Sequence, residues 1–160
     1  MTTTLEGPEH GPAAGGAPRK IVLLLHGLGA DGNDLIGLAP HIAPALPDAV
    51  FLSPHAPFPC DMAPYGRQWF SLQDRSPASI LRGVQVARPI LDAYIDAQLQ
   101  RFGLKDADLA LLGFSQGTMM SLYTAPRRSQ AVAGVLGYSG ALVGAELLAA
   151  EARTKPPVML

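Results

Sequence analysis

The stretch LALLGFSQGTMM, residues 109–120, joins a short apolar run to a helical pattern through a serine near two glycines. Residues 109–112 predict a buried strand, and residues 116–123 predict a helix. The residues GFSQG, 113–117, fit the pattern G-x-S-x-G in the strand-turn-helix context of a nucleophile elbow. Such a tight turn needs small residues around the serine and lifts its hydroxyl above the sheet edge. We therefore predict that Ser115 is a nucleophile, and an ordinary structural turn is the alternative.

Apolar runs and helical patterns alternate on both sides of this stretch. Strands are predicted at residues 21–25, 50–52, 109–112 and 131–136 and from Val158 onward, and helices at residues 33–45, 76–102, 116–123 and 142–152. This order predicts an α/β fold in which helices cover both faces of a mostly parallel sheet, with right-handed crossovers. The unbroken apolar run of the first strand agrees with burial on both of its faces.

Local signals predict where two of these helices begin. Asn33 is the expected N-cap of the helix over residues 33–45, which two prolines keep short or broken. Ser76 followed by Pro77 predicts the start of the long helix, and Pro89 inside that helix predicts a kink. The long irregular stretch before Ser76 is typical of a functional or mobile loop.

The N-terminal segment has a different composition from the rest of the chain. Residues 1–18 contain four glycines and three prolines and offer little apolar surface. Such a segment cannot bury enough surface to offset the entropy lost on ordering. We therefore predict a flexible tail over residues 1–18 and a single α/β domain over residues 19–160.

Composition excludes several classes of protein. Hydrophobic residues make up 48% of the 160 residues and charged residues 16%, which excludes a disordered chain. The formal net charge of −1 predicts no nucleic-acid partner. Every apolar run is shorter than the roughly 20 residues that cross a bilayer, so no stable membrane insertion is expected. The N-terminus lacks the apolar core of a signal peptide, which predicts a cytoplasmic location. The sequence leaves open whether the protein forms a homodimer.

A second glycine-rich motif follows the first predicted strand. GLGADG, residues 27–32, formally matches the G-x-G-x-x-G pattern of dinucleotide-binding proteins. That function requires a carboxylate after the second strand to hold a ribose, and SPH, residues 53–55, stands there instead. The alternative is a loop that offers a backbone N–H to an oxyanion beside the N–H of Gln116. The loop interpretation is favoured, so no cofactor is expected.

Three motifs follow one another in the chain: LHGLGADG at 25–32, RQWFSL at 67–72 and GFSQGTMM at 113–120. Together they resemble the phospholipase/carboxylesterase family of α/β-hydrolases, which includes acyl-protein thioesterases and small bacterial carboxylesterases. The resemblance implies a partial α/β-hydrolase domain over residues 19–160. It also implies Ser115 as nucleophile and the backbone N–H groups of Leu28 and Gln116 as oxyanion hole.

The same resemblance implies a substrate and a place for it. RQWFSL is expected near the acyl pocket, which makes Trp69 and Phe70 candidate substrate-binding residues, with ordinary packing as the alternative. The implied substrate is a small acyl ester, a thioester or a lysophospholipid, cleaved through an acyl-enzyme intermediate.

Two members of a catalytic triad are not found in the expected order. A serine hydrolase of this class needs an acid and then a histidine after the nucleophile, but no aspartate or histidine follows Ser115. His26 is expected to make structural hydrogen bonds, and the other histidines show no metal-ligand spacing. The family places its acid and histidine after the strand that begins here at Val158. The chain is therefore expected to be a C-terminally truncated hydrolase, inactive and poorly stable by itself; a non-catalytic fragment or pseudo-hydrolase that acts as a binding module is the alternative.

Overall fold

The structure, a computed structural model, describes residues 4–160. The strands of this part of the chain are β1 (Glu9–His10), β2 (Lys20–Leu25), β3 (Ala49–Leu52), β4 (Phe58–Pro59), β5 (Arg67–Gln68), β6 (Leu109–Phe114), β7 (Gly134–Tyr138) and β8 (Val158–Met159). Six of them form one sheet in the order β1-β3-β2-β6-β7-β8, while β4 and β5 form a separate hairpin. Strand β1 is antiparallel to β3, and the other pairs of the large sheet are parallel. The predicted mostly parallel α/β architecture is confirmed.

Strand β2 lies at the centre of the molecule with helices on both sides. The α-helices are α1 (Gly32–Leu35), α2 (Ala39–Ile42), α3 (Pro77–Phe102), α4 (Gln116–Thr124) and α5 (Ala145–Glu151). Ile21, Leu23 and Leu25 belong to the apolar cluster that contains the buried faces of α3 and α4. Val22 and Leu24 belong to a second cluster, with α1 and α2. This double covering explains the unbroken apolar run of β2.

The parallel strands end at one level of the sheet. Leu25 pairs with Gly113 across β2 and β6, and Gly113 pairs with Gly137 across β6 and β7. Because the segments after parallel strands meet at the carboxyl edge, the loop after β2 and the turns after β6 and β7 are neighbours. Strand β2 thus adjoins β6, the strand before Ser115.

The prediction of a flexible tail is wrong for residues 5–10. Leu5 is 5% exposed and belongs to the main apolar cluster. Strand β1 pairs with β3, and the Ser53 N–H donates to the Pro8 carbonyl at 3.1 Å. One apolar anchor and paired backbone groups therefore order a segment whose composition alone is unfavourable. Residues 1–3 of the predicted tail lie outside the described residues.

Helices α1 and α3 each have a side chain that caps the N-terminus. One of the two predicted N-cap residues is wrong. Ser76 caps α3 as expected, because its hydroxyl accepts a hydrogen bond from the Ser79 N–H at 3.3 Å. The cap of α1 is Asp31 instead of Asn33. Asp31 has an extended backbone, and its carboxylate accepts from the Asn33 N–H at 2.8 Å. The short helices that come next agree with the predicted effect of the prolines.

Helix α3 continues through Pro89. Pro89 lies on the exposed face of the helix, as does Gln85, whose carbonyl the proline leaves without a donor. Water can therefore replace the lost hydrogen bond. Among residues 4–160, no helix combines the length and the apolar character needed to cross a bilayer.

Three elements differ from the prediction in their bounds or in their type. Strand β7 begins at Gly134, later than the predicted residue 131. Helix α5 begins at Ala145 after Gly144, which is left-handed with φ of 64° and sets the start of the helix. The stretch predicted as irregular contains the β4–β5 hairpin, whose strands of two residues each are too short to show a period.

Candidate active site

Ser115 stands at the junction of β6 and α4 in a strained backbone conformation. Its φ is 52° and its ψ is −113°, a sparsely populated region that costs a non-glycine residue on the order of 1–3 kcal/mol. The Ser115 N–H donates to the Tyr138 carbonyl at 2.8 Å, which holds the turn against the end of β7. The residue is partly exposed. A strained serine between a strand and a helix is the geometry that the G-x-S-x-G pattern predicts.

The two glycines of this pattern are required by close packing. A Cβ atom at Gly113 would lie 2.5 Å from the Thr118 backbone nitrogen. A Cβ atom at Gly117 would overlap the carbonyl oxygen of Leu25, the last residue of β2. Both positions therefore exclude any side chain, because the elbow turns back on α4 and α4 begins directly against β2.

The loop after β2 lies beside Ser115. A Cβ atom at Gly27 would lie 3.3 Å from the Cβ of Ser115, so the loop backbone approaches the serine closely. The hairpin holds this loop: the Gly29 N–H donates to the Arg67 carbonyl at 2.9 Å, and the Arg67 N–H donates to the Ala30 carbonyl at 2.8 Å. The dinucleotide alternative does not fit, because the hairpin pairs with this loop and α1 after it has four residues.

Two backbone N–H groups are available next to Ser115. Gln116 is the first residue of α4, and the first N–H groups of a helix have no partner inside the helix. Leu28 lies in the loop between Gly27 and Gly29. Within residues 4–160, the N–H groups of Leu28 and Gln116 donate to no protein acceptor. Both N–H groups are therefore available to an acceptor from outside this part of the chain.

Trp69 and Phe70 lie beside this junction with almost no surface of their own, since they are 0% and 4% exposed. The Trp69 backbone N–H donates to the Gln116 side-chain oxygen at 2.8 Å, and its indole N–H donates to the His26 carbonyl at 3.0 Å. Phe70 packs against Gly83 of α3, where an added Cβ would lie 2.6 Å from the Phe70 Cβ. In this conformation both residues pack and hydrogen-bond, and a contact with substrate stays a prediction.

His26 is fully buried, and both of its ring nitrogens are bonded to the backbone. Nε2 accepts from the Ala56 N–H at 3.0 Å, and Nδ1 donates to the Gly27 carbonyl at 2.7 Å. Burial lowers the pKa of His26 below its ordinary value, so the ring is neutral at neutral pH. A ring without a free nitrogen cannot take a proton from Ser115. The predicted structural role of His26 is confirmed.

The other three histidines lie in the loop after β3, in β1 and in α2. His55 accepts from the Gly32 N–H at 3.0 Å through Nδ1. His10 lies in edge strand β1 with its ring edge-on to Phe51, and His41 is exposed in α2. Across residues 4–160, no three His, Cys, Asp or Glu side chains gather as a candidate metal site.

A second strained serine lies directly after β7. Ser139 has φ of 52°, as Ser115 has. Thr118 joins the two turns, because its hydroxyl donates to the Tyr138 carbonyl at 2.8 Å and accepts from the Tyr138 N–H at 3.0 Å. A Cβ at Gly140 would lie 2.8 Å from the Ser115 carbonyl oxygen. The sequence GYSGA, residues 137–141, differs from a second G-x-S-x-G only at its last residue, and this near match indicates the turn.

Known proteins share this fold. The crystal structure of esterase PE8 superposes with a TM-score of 0.92 at 40% sequence identity, covering 97% of this chain and 73% of that one. A carboxylesterase from Mesorhizobium loti superposes with a TM-score of 0.62 at 25% identity, covering 80% of this chain and 58% of that one. The neighbours share the α/β-hydrolase fold.

The sequence comparisons agree with the structural ones. Esterase YpfH from Escherichia coli strain K12 is 28% identical over 122 residues, which cover 76% of this chain and 52% of that protein. The chain thus spans about half the length of the curated relative that it matches. The model of the phospholipase/carboxylesterase family matches residues 13–159. The chain therefore belongs to the phospholipase/carboxylesterase family.

Proposed function

We propose that this chain carries the nucleophile half of a serine hydrolase that cleaves carboxylic esters or thioesters. The observation that carries the proposal is the strained backbone of Ser115, with φ of 52° at the start of α4. Such strain persists only where the surrounding structure holds it, and it clusters at functional sites. Membership of an esterase family supports the same class of reaction.

The proposed reaction has two steps. The Ser115 hydroxyl oxygen attacks the acyl carbon while a general base takes its proton, and the carbonyl π electrons move to the oxygen. The N–H groups of Leu28 and Gln116 bind this oxyanion; one such donor is typically worth about 2.7–4 kcal/mol of barrier. The C–O or C–S bond then breaks, and the leaving group takes up the proton. Water hydrolyses the acyl-enzyme in the same manner.

The general base and its acid are proposed to come from residues other than these 160. His26 has no free ring nitrogen, and His10 stands on the far edge strand. The esterase relatives extend beyond the part that this chain matches. A histidine supplied there would complete the triad, with a carboxylate that orients it.

A fluorophosphonate probe tests the identity of the nucleophile. We expect the adduct on Ser115 when the protein expressed from the reading frame extended past Leu160 is labelled, digested and mapped by mass spectrometry. Ser115→Ala should abolish labelling. An adduct on Ser139, or labelling that survives in Ser115→Ala, would overturn the assignment.

A backbone substitution tests the oxyanion donors. Leu28→Pro removes the N–H and should lower kcat for a p-nitrophenyl ester by about 10²–10³-fold. Leu28→Ala keeps the N–H and is the matched control, expected to retain most turnover. Equal turnover by two folded variants would remove Leu28 from the mechanism.

A further inference from the structure

The side chain of Gln116 forms two hydrogen bonds that its backbone role does not require. Gln116 is 1% exposed. Its Oε1 accepts from the Trp69 N–H at 2.8 Å, and its Nε2 donates to the Phe70 carbonyl at 2.7 Å. A carboxamide carries an oxygen that accepts and an NH2 group that donates. Gln116 thus holds the 69–70 segment with both ends of its carboxamide, across 46 and 47 positions of the chain.

Trp69 continues this connection to the other side of Ser115. Its indole N–H donates to the carbonyl of His26 at 3.0 Å, and Trp69 has no exposed surface. His26 directly precedes Gly27 and Leu28, and its ring is held through Nε2 by the Ala56 N–H. One buried path of hydrogen bonds therefore runs from the residue after the serine to the loop that contains Leu28.

We propose that the Gln116 carboxamide and the Trp69 indole are positioning groups that set the separation of the two oxyanion N–H donors. The inference rests on the proposed function, because it assigns a task to the side chains behind the same oxyanion hole. Geometry matters strongly there, since a misplacement of about 1 Å can cost on the order of 100-fold in rate. The two donors sit on separate segments, so some connection between these segments must hold them in register.

The competing explanation is that these bonds only satisfy polar groups that burial has removed from water. Gln68 offers a matched comparison: it is 5% exposed, and its Oε1 accepts from the Asp61 N–H at 3.1 Å. Gln68 directly precedes Trp69, but its side chain bonds Asp61 and not the segments beside Ser115. Replacing each glutamine by methionine keeps the length of the side chain and removes its hydrogen bonds.

The experiment uses butyrate, a carboxylate of the kind that ester cleavage releases, as a probe that needs no general base. In ¹H–¹⁵N spectra of wild-type protein we expect butyrate to shift the N–H resonances of Leu28 and Gln116 together. Gln116→Met should lose the joint shift, and Gln68→Met should keep it. Trp69→Phe removes the indole donor and part of the ring volume but keeps the backbone N–H that bonds Gln116, so the Leu28 response should be lost and the Gln116 response kept.

Turnover supplies a second readout that a purely structural role would not move. In the active enzyme, Gln116→Met should lower kcat for a p-nitrophenyl ester by about 100-fold with little change in KM. If Gln116→Met does not fold, Gln116→Glu is used, because it keeps an acceptor for Trp69 and loses the donor to Phe70. A folded Gln116 variant with wild-type kcat and both butyrate shifts would overturn the inference.

Failure of the proposed function gives a different result. If wild-type protein shows the paired butyrate shifts that Gln116→Met loses, but no ester turnover that depends on Ser115, the positioning role stands and the hydrolase assignment falls. If butyrate shifts neither N–H in wild-type protein, the oxyanion hole is wrong and this inference falls with it.

Discussion

Two serine turns at the same edge of the sheet lead into different segments of the chain. Ser115 comes directly after β6 and Ser139 directly after β7, and both have φ of 52°. The two strands pair in parallel and end level, with Phe114 opposite Tyr138. Helix α4 begins directly after Ser115, whereas Gly140 comes after Ser139 and α5 does not begin until Ala145.

The surroundings of the two serines differ as well. The glycine loop after β2 approaches Ser115, where a Cβ at Gly27 would lie 3.3 Å from the serine Cβ. Backbone strain is therefore common to both turns, and the helix that begins after Ser115 and the glycine loop beside it distinguish them. We propose that this helix N-terminus and this loop favour Ser115 over Ser139 as the nucleophile.

The largest expected effect separates the hydroxyls of the two serines. Ser115→Gly removes the proposed nucleophile and should lower ester turnover by roughly 10⁶-fold in the active enzyme. Ser139→Gly relieves the same backbone strain and should leave turnover close to that of the wild type. Both changes should raise the free energy of unfolding, because glycine adopts positive φ readily. Equal losses of turnover in the two variants would refute the distinction between the turns.

The second effect concerns the close approach of α4 to β2. A Cβ at Gly117 would overlap the Leu25 carbonyl oxygen, so Gly117→Ala should lower the free energy of unfolding by about 3 kcal/mol or more. Gly37→Ala is the control, because nothing lies within 4 Å of an added Cβ there. Urea denaturation of both variants measures the difference. Wild-type stability in Gly117→Ala would show that α4 can move away from β2.

The third effect concerns the link between the two turns. Thr118 is 1% exposed and makes two hydrogen bonds with Tyr138. Thr118→Val keeps the shape and loses both bonds, which should cost about 1–3 kcal/mol of unfolding free energy. Thr118→Ser keeps the hydroxyl and should cost less, about 0.8 kcal/mol for the lost methyl group. Denaturation midpoints decide the order, and a Ser variant less stable than the Val variant would contradict it.

The smallest effect is the pH dependence of stability that arises from His26, the residue before the glycine loop beside Ser115. Burial lowers the pKa of His26, so between the folded pKa and the ordinary value near 6.5 the unfolded chain binds more protons than the folded one. The contribution of His26 to stability is therefore complete above about pH 6.5 and decreases as the pH falls below it. Denaturation at several pH values and the ¹⁵N shifts of the His26 ring measure this. A ring that is charged in the folded protein at pH 6.5 would contradict it.

Much of the fold and the serine turn could be predicted from short-range patterns. Ser76 caps α3 at the predicted place, and the G-x-S-x-G residues form the predicted turn. These features depend on interactions between residues a few positions apart, so local composition carries the information. Asn33 is the wrong cap because Asp31, two positions earlier, is an equally good candidate.

Other parts of the site could not be predicted because their partners are distant in the chain. The Thr118 hydroxyl bonds Tyr138 across 20 positions, and the Trp69 indole bonds His26 across 43. Trp69 and Phe70 lie near the site as expected, but their burial cannot be read from the motif. The ordered structure of residues 5–10 could not be predicted for the same reason, because their backbone partners lie in β3 and directly after it.

Local sequence is enough to specify the alternation of strands and helices and the serine turn. These features depend on hydrophobic period, capping and the volume of single residues, all of which act over a few positions. Tertiary packing alone sets which carbonyl each buried donor meets, leaves His26 without a free nitrogen, and places Gly117 against the end of β2. Those contacts depend on strand order and register, which bring together groups that no local pattern connects.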